Sequence, residues 1–541
     1  MNDPRGFPRF SIGRRRLLTY AVSSPVMPIV AGFGVNLATP SSAVAADPQI
    51  RWSAHMESGT LLPNDTPPGE WDERVNDPGC DTVAIGIDGA VQPHGGNYMM
   101  KQTVPAEGGG TRMQRYPEVD NLSRTRTTYY YSFYHYLPEA ITYGIFDTYI
   151  VWGLLSKGDP SSFGNPFWSL VLASSSNNGT GALDLIWSPN NQAPSGGPHQ
   201  SDPSGYPNKH TYAGLAANRL PIGQWNFIEI MITPADDFTG AIKIWQNGTL
   251  IHDQSPTSAN GLGGVKTQWP NTIPPDELFT WLEQTGYGSG LTPTPTINYV
   301  DDVTISLARV PFWSAGMEYG DLSEWLSNGE EINTGSADTT VVTAASVGIP
   351  PRGGSYVMKQ AVTAPPGATR MQRYPEVDQL ARAGTKFYWS WYDYFPTPIS
   401  FGISEMFQIW GSMSIRTNGL NDPSDVFFSF GFTPTGNLLR LTYNPTGRAQ
   451  TTPKAEYTNS TPVPVGLWNF FEIEFLPRGD ATGSLRLWMN GALQFALFNI
   501  QTQYPLIGQN PLLTVIEQTG YGDVAATHYV DDVTISFERM G

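Results

Sequence analysis

The segment Thr111-Arg112-Met113-Gln114-Arg115-Tyr116-Pro117-Glu118-Val119-Asp120 recurs without a change as residues 369–378. Glu283-Gln284-Thr285-Gly286-Tyr287-Gly288 returns as residues 517–522, and residues 299–306 return as 529–536, always in the same order. Agreement of this kind means one module written twice, with a period of roughly 250 residues that is domain-sized rather than solenoid-sized. The 541-residue chain therefore divides most simply into two domains. One copy opens at Trp52-Ser53-Ala54-His55-Met56-Glu57 and the other at Trp313-Ser314-Ala315-Gly316-Met317-Glu318, which sets the copies at residues 46–309 and 310–541. Hardly any linker lies between them at Val310-Pro311-Phe312, so the copies are expected to pack together rather than tumble on a tether.

Charged residues are 15 % of the chain and aromatic residues 12 %, with 56 glycines and 46 prolines, a balance that suits short strands and many turns. Residues 225–232 and 468–475 read as the same strand, and each is followed by a strand that ends in a hairpin signal, Asn247-Gly248 or Asn490-Gly491. With about a dozen such strands per copy and almost no helical periodicity, an all-β chain of two-layer sandwiches is expected.

Residues 1–45 read as an export signal, with Arg14-Arg15-Arg16 before an apolar stretch and a small-residue cleavage site at Ala43-Val44-Ala45. The arginines followed by leucines resemble a bacterial twin-arginine signal, so a secreted or cell-envelope location is expected. The whole chain carries −17, and loss of five arginines and one aspartate with residues 1–45 leaves −21, which argues against nucleic acid as a partner. Cys80 is the only cysteine, so no disulfide forms within the chain.

The order of motifs is Trp-Ser-Ala-x-Met-Glu, Gly-Gly-x-Tyr-x-Met-Lys-Gln, an arginine-bearing strand, an aromatic strand, Trp-Asn-Phe and a final Tyr-Val-Asp-Asp-Val. It resembles the concanavalin A-like jelly rolls of bacterial polysaccharide lyases and laminin-G-like domains. That resemblance implies two tandem jelly-roll β-sandwiches facing an extracellular polysaccharide, with lyase chemistry on a uronic-acid polymer as the enzymatic extension. A non-catalytic envelope or matrix protein is the reading from a different class.

Lyases of this kind carry an Arg-x-Glu type strand across their cleft, and Arg112-Met113-Gln114, like Arg370-Met371-Gln372, resembles it with Gln in the acid's place. Arg112, Gln114, Arg370 and Gln372 are therefore expected to bind substrate, while Arg115 and Arg373 pair with Glu118 and Glu376 at a turn beginning with Pro117 or Pro375. The resemblance also makes Tyr287 and Tyr521 the acid/base candidates, since β-elimination needs charge neutralisation, a base for the C5 proton and an acid for the leaving oxygen. The Gln-x-His strand of the family reads Ile150-Val151-Trp152 in copy one and Gln408-Ile409-Trp410 in copy two, so the histidine is missing from both and only Gln408 survives.

On the aromatic strand, side chains alternate in direction. One face carries Tyr130, Ser132, Tyr134 and Tyr136, matched by Tyr388, Ser390, Tyr392 and Tyr394. Rings with a polar handle suit sugar recognition, so Tyr130, Tyr134, Tyr388 and Tyr392 are candidate binding residues, the alternative being sandwich core. His135, on the opposite face, is a third catalytic candidate. Retaining-glucanase strands of spaced acids are absent. Many carbohydrate-binding jelly rolls join first and last strands through calcium, which implies Glu57 with Asp302 and Glu318 with Asp532 as ligands, at most one of each Asp-Asp pair reaching the ion. Loops at residues 175–209 and 417–425 differ between copies and follow no readable code.

Overall fold

Alternation of side chains along the repeated strands decides what faces inward. Tyr129, Tyr131 and Phe133 have no exposed surface and neither do Phe387, Trp389 and Trp391, so this face of the aromatic strand is sandwich interior in both copies. In the computed structural model, the residues described are 50–106, 108–141, 148–156, 165–174, 181–187, 209–211, 220–257, 263–268, 280–289, 295–326, 329–364, 367–399, 401, 407–416, 425–434, 437–444, 455–505, 512–522 and 524–540. The export signal and most of the two variable loops lie outside them. Among the described residues no helix is long and apolar enough to cross a membrane.

These residues build four antiparallel sheets, two from each copy, giving two tandem jelly-roll β-sandwiches. One sheet of copy one runs Lys209–Thr211, Gly181–Trp187, Asn165–Ser174, Thr148–Ser156, Thr280–Ser289, Gly108–Arg115 and Glu73–Asn76. Its counterpart in copy two runs Gly329–Thr334, Gly367–Arg373, Leu512–Gly522, Phe407–Arg416, Asp425–Phe432, Leu438–Tyr443 and Ala455–Pro462. We term these the groove sheets. The back sheets centre on Tyr129–Tyr136, between Trp225–Thr233 and Thr296–Ser306, and on Phe387–Tyr394, between Trp468–Leu476 and Ala526–Ser536. The register agrees between copies: Arg112 lies opposite Thr285 as Arg370 lies opposite Thr519.

The repeated Pro-Glu-Val-Asp does not form a turn. It starts the short helices Pro117–Arg124 and Pro375–Ala383, where proline suits the first position and the acids face the positive end of the helix dipole. Arg115 meets Glu118 and Asp72, and Arg373 meets Glu376, so both arginines fasten the helix start to the groove sheet.

The described residues form one compact unit. Tyr134 and Phe227 of copy one share a buried cluster with Phe312 and the core of copy two. Phe312 stands 6.0 Å from Tyr134 and 5.6 Å from Phe227, ring centre to ring centre. Polar contacts cross the same seam: His94 Nε2 lies 3.5 Å from Glu376 Oε1, and Arg309, paired with Glu229 in its own copy, reaches Glu538 at 3.4 Å.

Candidate functional site

Period-two alternation on the groove sheets turns Arg112 and Gln114 outward from one strand and Glu283, Thr285 and Tyr287 outward from the next. These five, with Glu73, Val75, Ile150, Gly153, Leu155, Ser169 and Trp281, line a cleft of about 620 Å³. The Arg112 guanidinium lies 5.4 Å from the centre of the Tyr287 ring, and its Nε is 4.0 Å from Glu283 Oε2. Copy two repeats the arrangement, with Arg370 5.6 Å from the Tyr521 ring and 4.0 Å from Glu517. Gln408 lies opposite Tyr521 on the neighbouring strand, the position that Ile150 takes opposite Tyr287 in copy one.

A single residue changes how the two tyrosines stand. Tyr287 lies over Gly110, where an added Cβ would be 2.5 Å from its ring, whereas the residue opposite Tyr521 is Ala368. Tyr521 is 47 % exposed, with its ring 5.6 Å from the Arg370 guanidinium.

The floor also holds a carboxylate that the sequence reading passed over. Glu283 accepts from Gln114 Nε2 at 2.6 Å and from the Trp281 indole at 3.2 Å; Glu517 accepts from Gln372 Nε2 at 3.2 Å and Gln408 Nε2 at 3.3 Å. Burial pushes the carboxyl of each above its ordinary range, against the pull of the neighbouring arginine. The signal was present: Glu283, Thr285 and Tyr287 are spaced two apart in a segment repeated without change.

Other expected residues lie elsewhere. His135 points into the sandwich interior, 1 % exposed, and burial alone pushes it down to about 4, so it does not reach the groove. Its counterpart Asp393 is likewise interior and pairs with His528 at 2.9 Å. Among the described residues no histidine lines the cleft of copy one.

Tyr130, Tyr134, Tyr388 and Tyr392 belong to the back sheets, on the face turned away from the sandwich interior, not to the groove. Tyr134 stacks on His94 at 3.4 Å at the seam between copies. Tyr388 donates to Glu474 at 2.7 Å, and Tyr392 lies beneath Arg352 at 3.8 Å.

The first-to-last-strand junction was read as calcium-binding, and its donor set differs between copies. Asp302 and Asp532 have a positive φ of 48° beside a register shift, so Asp301 and Asp302 do not simply point opposite ways: both reach the turn at His94-Gly95. In copy one both oxygens of Asp302 are engaged, by His55 and His94 at 2.8 Å each. Burial raises Asp302, but those hydrogen bonds outweigh it and hold the carboxyl below its usual range. Glu57 caps the N–H groups of Asn97 and Tyr98. Glu318 does the same for Ser355 and Tyr356, with Asp532 beside Gly353. Among the described residues no group of three or more His, Cys, Asp or Glu side chains is placed to hold a metal. The copy-one residues do not fit calcium, which wants six to eight oxygens.

Comparison with known proteins bears on the groove of copy two. Residues 317–510 match the family model described as polysaccharide lyase. The resemblance to that family is thus shown for most of the second copy, up to the strand that carries Tyr521. Solved structures that align with the chain include the endo-β-1,4-glucuronan lyase of the fungus Trichoderma reesei, at 12 % identity over 42 % of this chain and 96 % of that one, TM-score 0.32. The marine PL-14 alginate lyase from Aplysia kurodai aligns at 13 % identity over 42 % and 99 %, TM-score 0.30. The CBM22-1-CBM22-2 tandem domain from Paenibacillus barcinonensis Xyn10C aligns at 9 % identity over 90 % and 97 %, TM-score 0.25. No curated protein sequence matches the chain.

Proposed function

We propose that this chain is an exported polysaccharide lyase that cleaves a uronic-acid polymer by β-elimination in the groove of its second copy, with the groove of the first holding the same polymer. The observation that carries this reading is the convergence of Arg370, Gln372, Gln408 and a half-exposed Tyr521 on one open sheet face. The family match over residues 317–510 supports it independently.

Arg370 and the two glutamines offer donors that neutralise the carboxylate of a docked uronate, which makes its C5–H acidic enough to remove. Tyr521 stands next to them as the proton-transfer group. Its oxygen takes the C5 proton as its own hydroxyl proton passes to the departing O4, the electron pair of the C5–H bond forms the C4=C5 double bond, and the C4–O4 bond breaks. One phenol can perform both transfers when the proton and the leaving oxygen lie on the same side of the sugar ring. Ile150 in place of Gln408, and a Tyr287 that rests on Gly110, leave copy one with fewer groups for the carboxylate and suit it to holding polymer.

The test is incubation with glucuronan, alginate and pectin-type polymers and with a neutral glucan, following the ultraviolet absorbance of the unsaturated product. A rise with a uronate polymer and none with the neutral glucan is expected. Retarded migration in uronate-containing gels without any absorbance rise would replace the lyase reading with binding alone.

A further inference from the structure

Glu517 sets a carboxylate in the floor of the copy-two groove, beside the groups proposed to meet the substrate. It is 2 % exposed, and its two oxygens accept from Gln372 Nε2 at 3.2 Å and from Gln408 Nε2 at 3.3 Å. The Nε of Arg370 is 4.0 Å away and has no hydrogen-bond partner of its own among the described residues. Gly411 lies beside the carboxylate, where an added Cβ would be 2.8 Å from Gln408 Nε2 and 3.0 Å from Glu517 Oε1. Glycine is what lets the acid and the amide meet there.

An ionised carboxylate only accepts hydrogen bonds, whereas an amide side chain has one accepting and one donating end. While Glu517 is charged, both glutamines must turn their N–H groups toward it. One N–H of each amide is then committed to Glu517 and is not available to a uronate carboxylate. A second carboxylate brought beside the buried Glu517 disfavours its charged form and so favours uptake of a proton.

We propose that Glu517 is a positioning residue that orients Gln372 and Gln408 and, when a uronate docks, takes one proton from solvent, freeing the amide donors and Arg370 for the incoming carboxylate. The idea rests on the lyase reading above and concerns copy two alone. In copy one Glu283 accepts from the Trp281 indole, which can only donate, and Ile150 stands where copy two has Gln408, so the pair of amides held by Glu517 has no counterpart. The raised affinity of Glu517 for a proton, caused by burial, points the same way. The other charged or titratable groups on this face among the described residues are Arg370, Tyr521, Glu330 opposite Gln372, and the Arg440–Glu456 pair farther out.

Titration calorimetry of the full chain with a glucuronate oligomer and a mannuronate oligomer, in buffers of different ionisation enthalpy, measures proton uptake on binding. Wild type is expected to take up about one proton per oligomer bound in copy two, with affinity falling up to about tenfold per pH unit once Glu517 is ionised in the free protein. Glu517→Gln should abolish the uptake and flatten the pH dependence of KM, with a smaller change in kcat. Binding without proton uptake by wild type, or unchanged uptake in Glu517→Gln, overturns the proposal and leaves the lyase reading intact; if Glu517→Gln does not fold, the wild-type series still decides. Absence of any uronate binding or cleavage by wild type overturns both.

Discussion

Arg373 has no exposed side-chain surface, and its guanidinium is held by Glu376 at 2.6 Å and by the Trp325 carbonyl at 2.9 Å. Burial pushes the Glu376 carboxyl up, but Arg373 and His94 outweigh it and bring it down to about 2 from an ordinary value of 4.5. A depressed carboxyl stabilises the fold above its unfolded pKa, and that contribution disappears as pH falls through the folded one. About 3 kcal/mol should therefore vanish between roughly pH 4.5 and pH 2. Arg373→Met leaves Glu376 buried beside only a histidine; chemical denaturation at neutral pH should show a loss of about 3–5 kcal/mol and a much weaker acid dependence. His135 runs by a different rule, because burial depresses it to about 4, so its neutral form stabilises the fold above its unfolded pKa and loses that effect as pH drops from about 6.5 to about 4. His135→Phe should keep the wild-type cleavage rate, since the ring is enclosed in the core; a large fall in kcat with folding intact would put it back in the chemistry.

At the scale of elements, the groove strands explain what the sequence revealed and what it hid. Strand alternation puts Arg112 with Gln114, and Arg370 with Gln372, on one face, whereas Tyr287, Tyr521 and Gln408 became candidates only through the resemblance of their strands to those of lyases. The aromatic strand misled because a row of tyrosines reads equally well as sugar platform or interior. Only sheet pairing decides, and it puts Tyr130, Tyr134, Tyr388 and Tyr392 on the opposite layer. The junction acids were misread because simple alternation fails at Asp302 and Asp532, where positive φ turns the strand. The Gly110-to-Ala368 difference gives a direct test. Ala368→Gly should let Tyr521 settle onto the strand as Tyr287 does, lowering kcat about tenfold with KM less affected, as read by initial rates.

For the whole molecule, the repeat led to the expectation of two sandwiches, and the short Val310-Pro311-Phe312 junction to that of copies packed together. The composition of the seam was not legible, because Tyr134, Phe227 and His94 come from loops and strands remote in sequence from Phe312 and Glu376. Phe312 is fully buried between Tyr134, Phe227 and Phe537, so Phe312→Ala removes the ring that joins the copies. Thermal unfolding should then show a loss of about 3–5 kcal/mol, or separation into two transitions as the copies uncouple.

The most direct measurement compares initial rates of ultraviolet absorbance on the cleaved uronate polymer for wild type, Tyr521→Phe and Tyr287→Phe. Loss of one hydroxyl from the proton-transfer group should lower kcat by about 10²–10⁴ in Tyr521→Phe, while Tyr287→Phe keeps most of the rate and mainly raises KM. Unchanged cleavage by a folded Tyr521→Phe, or a collapse of the rate in Tyr287→Phe alone, would contradict the placing of the elimination in the second groove.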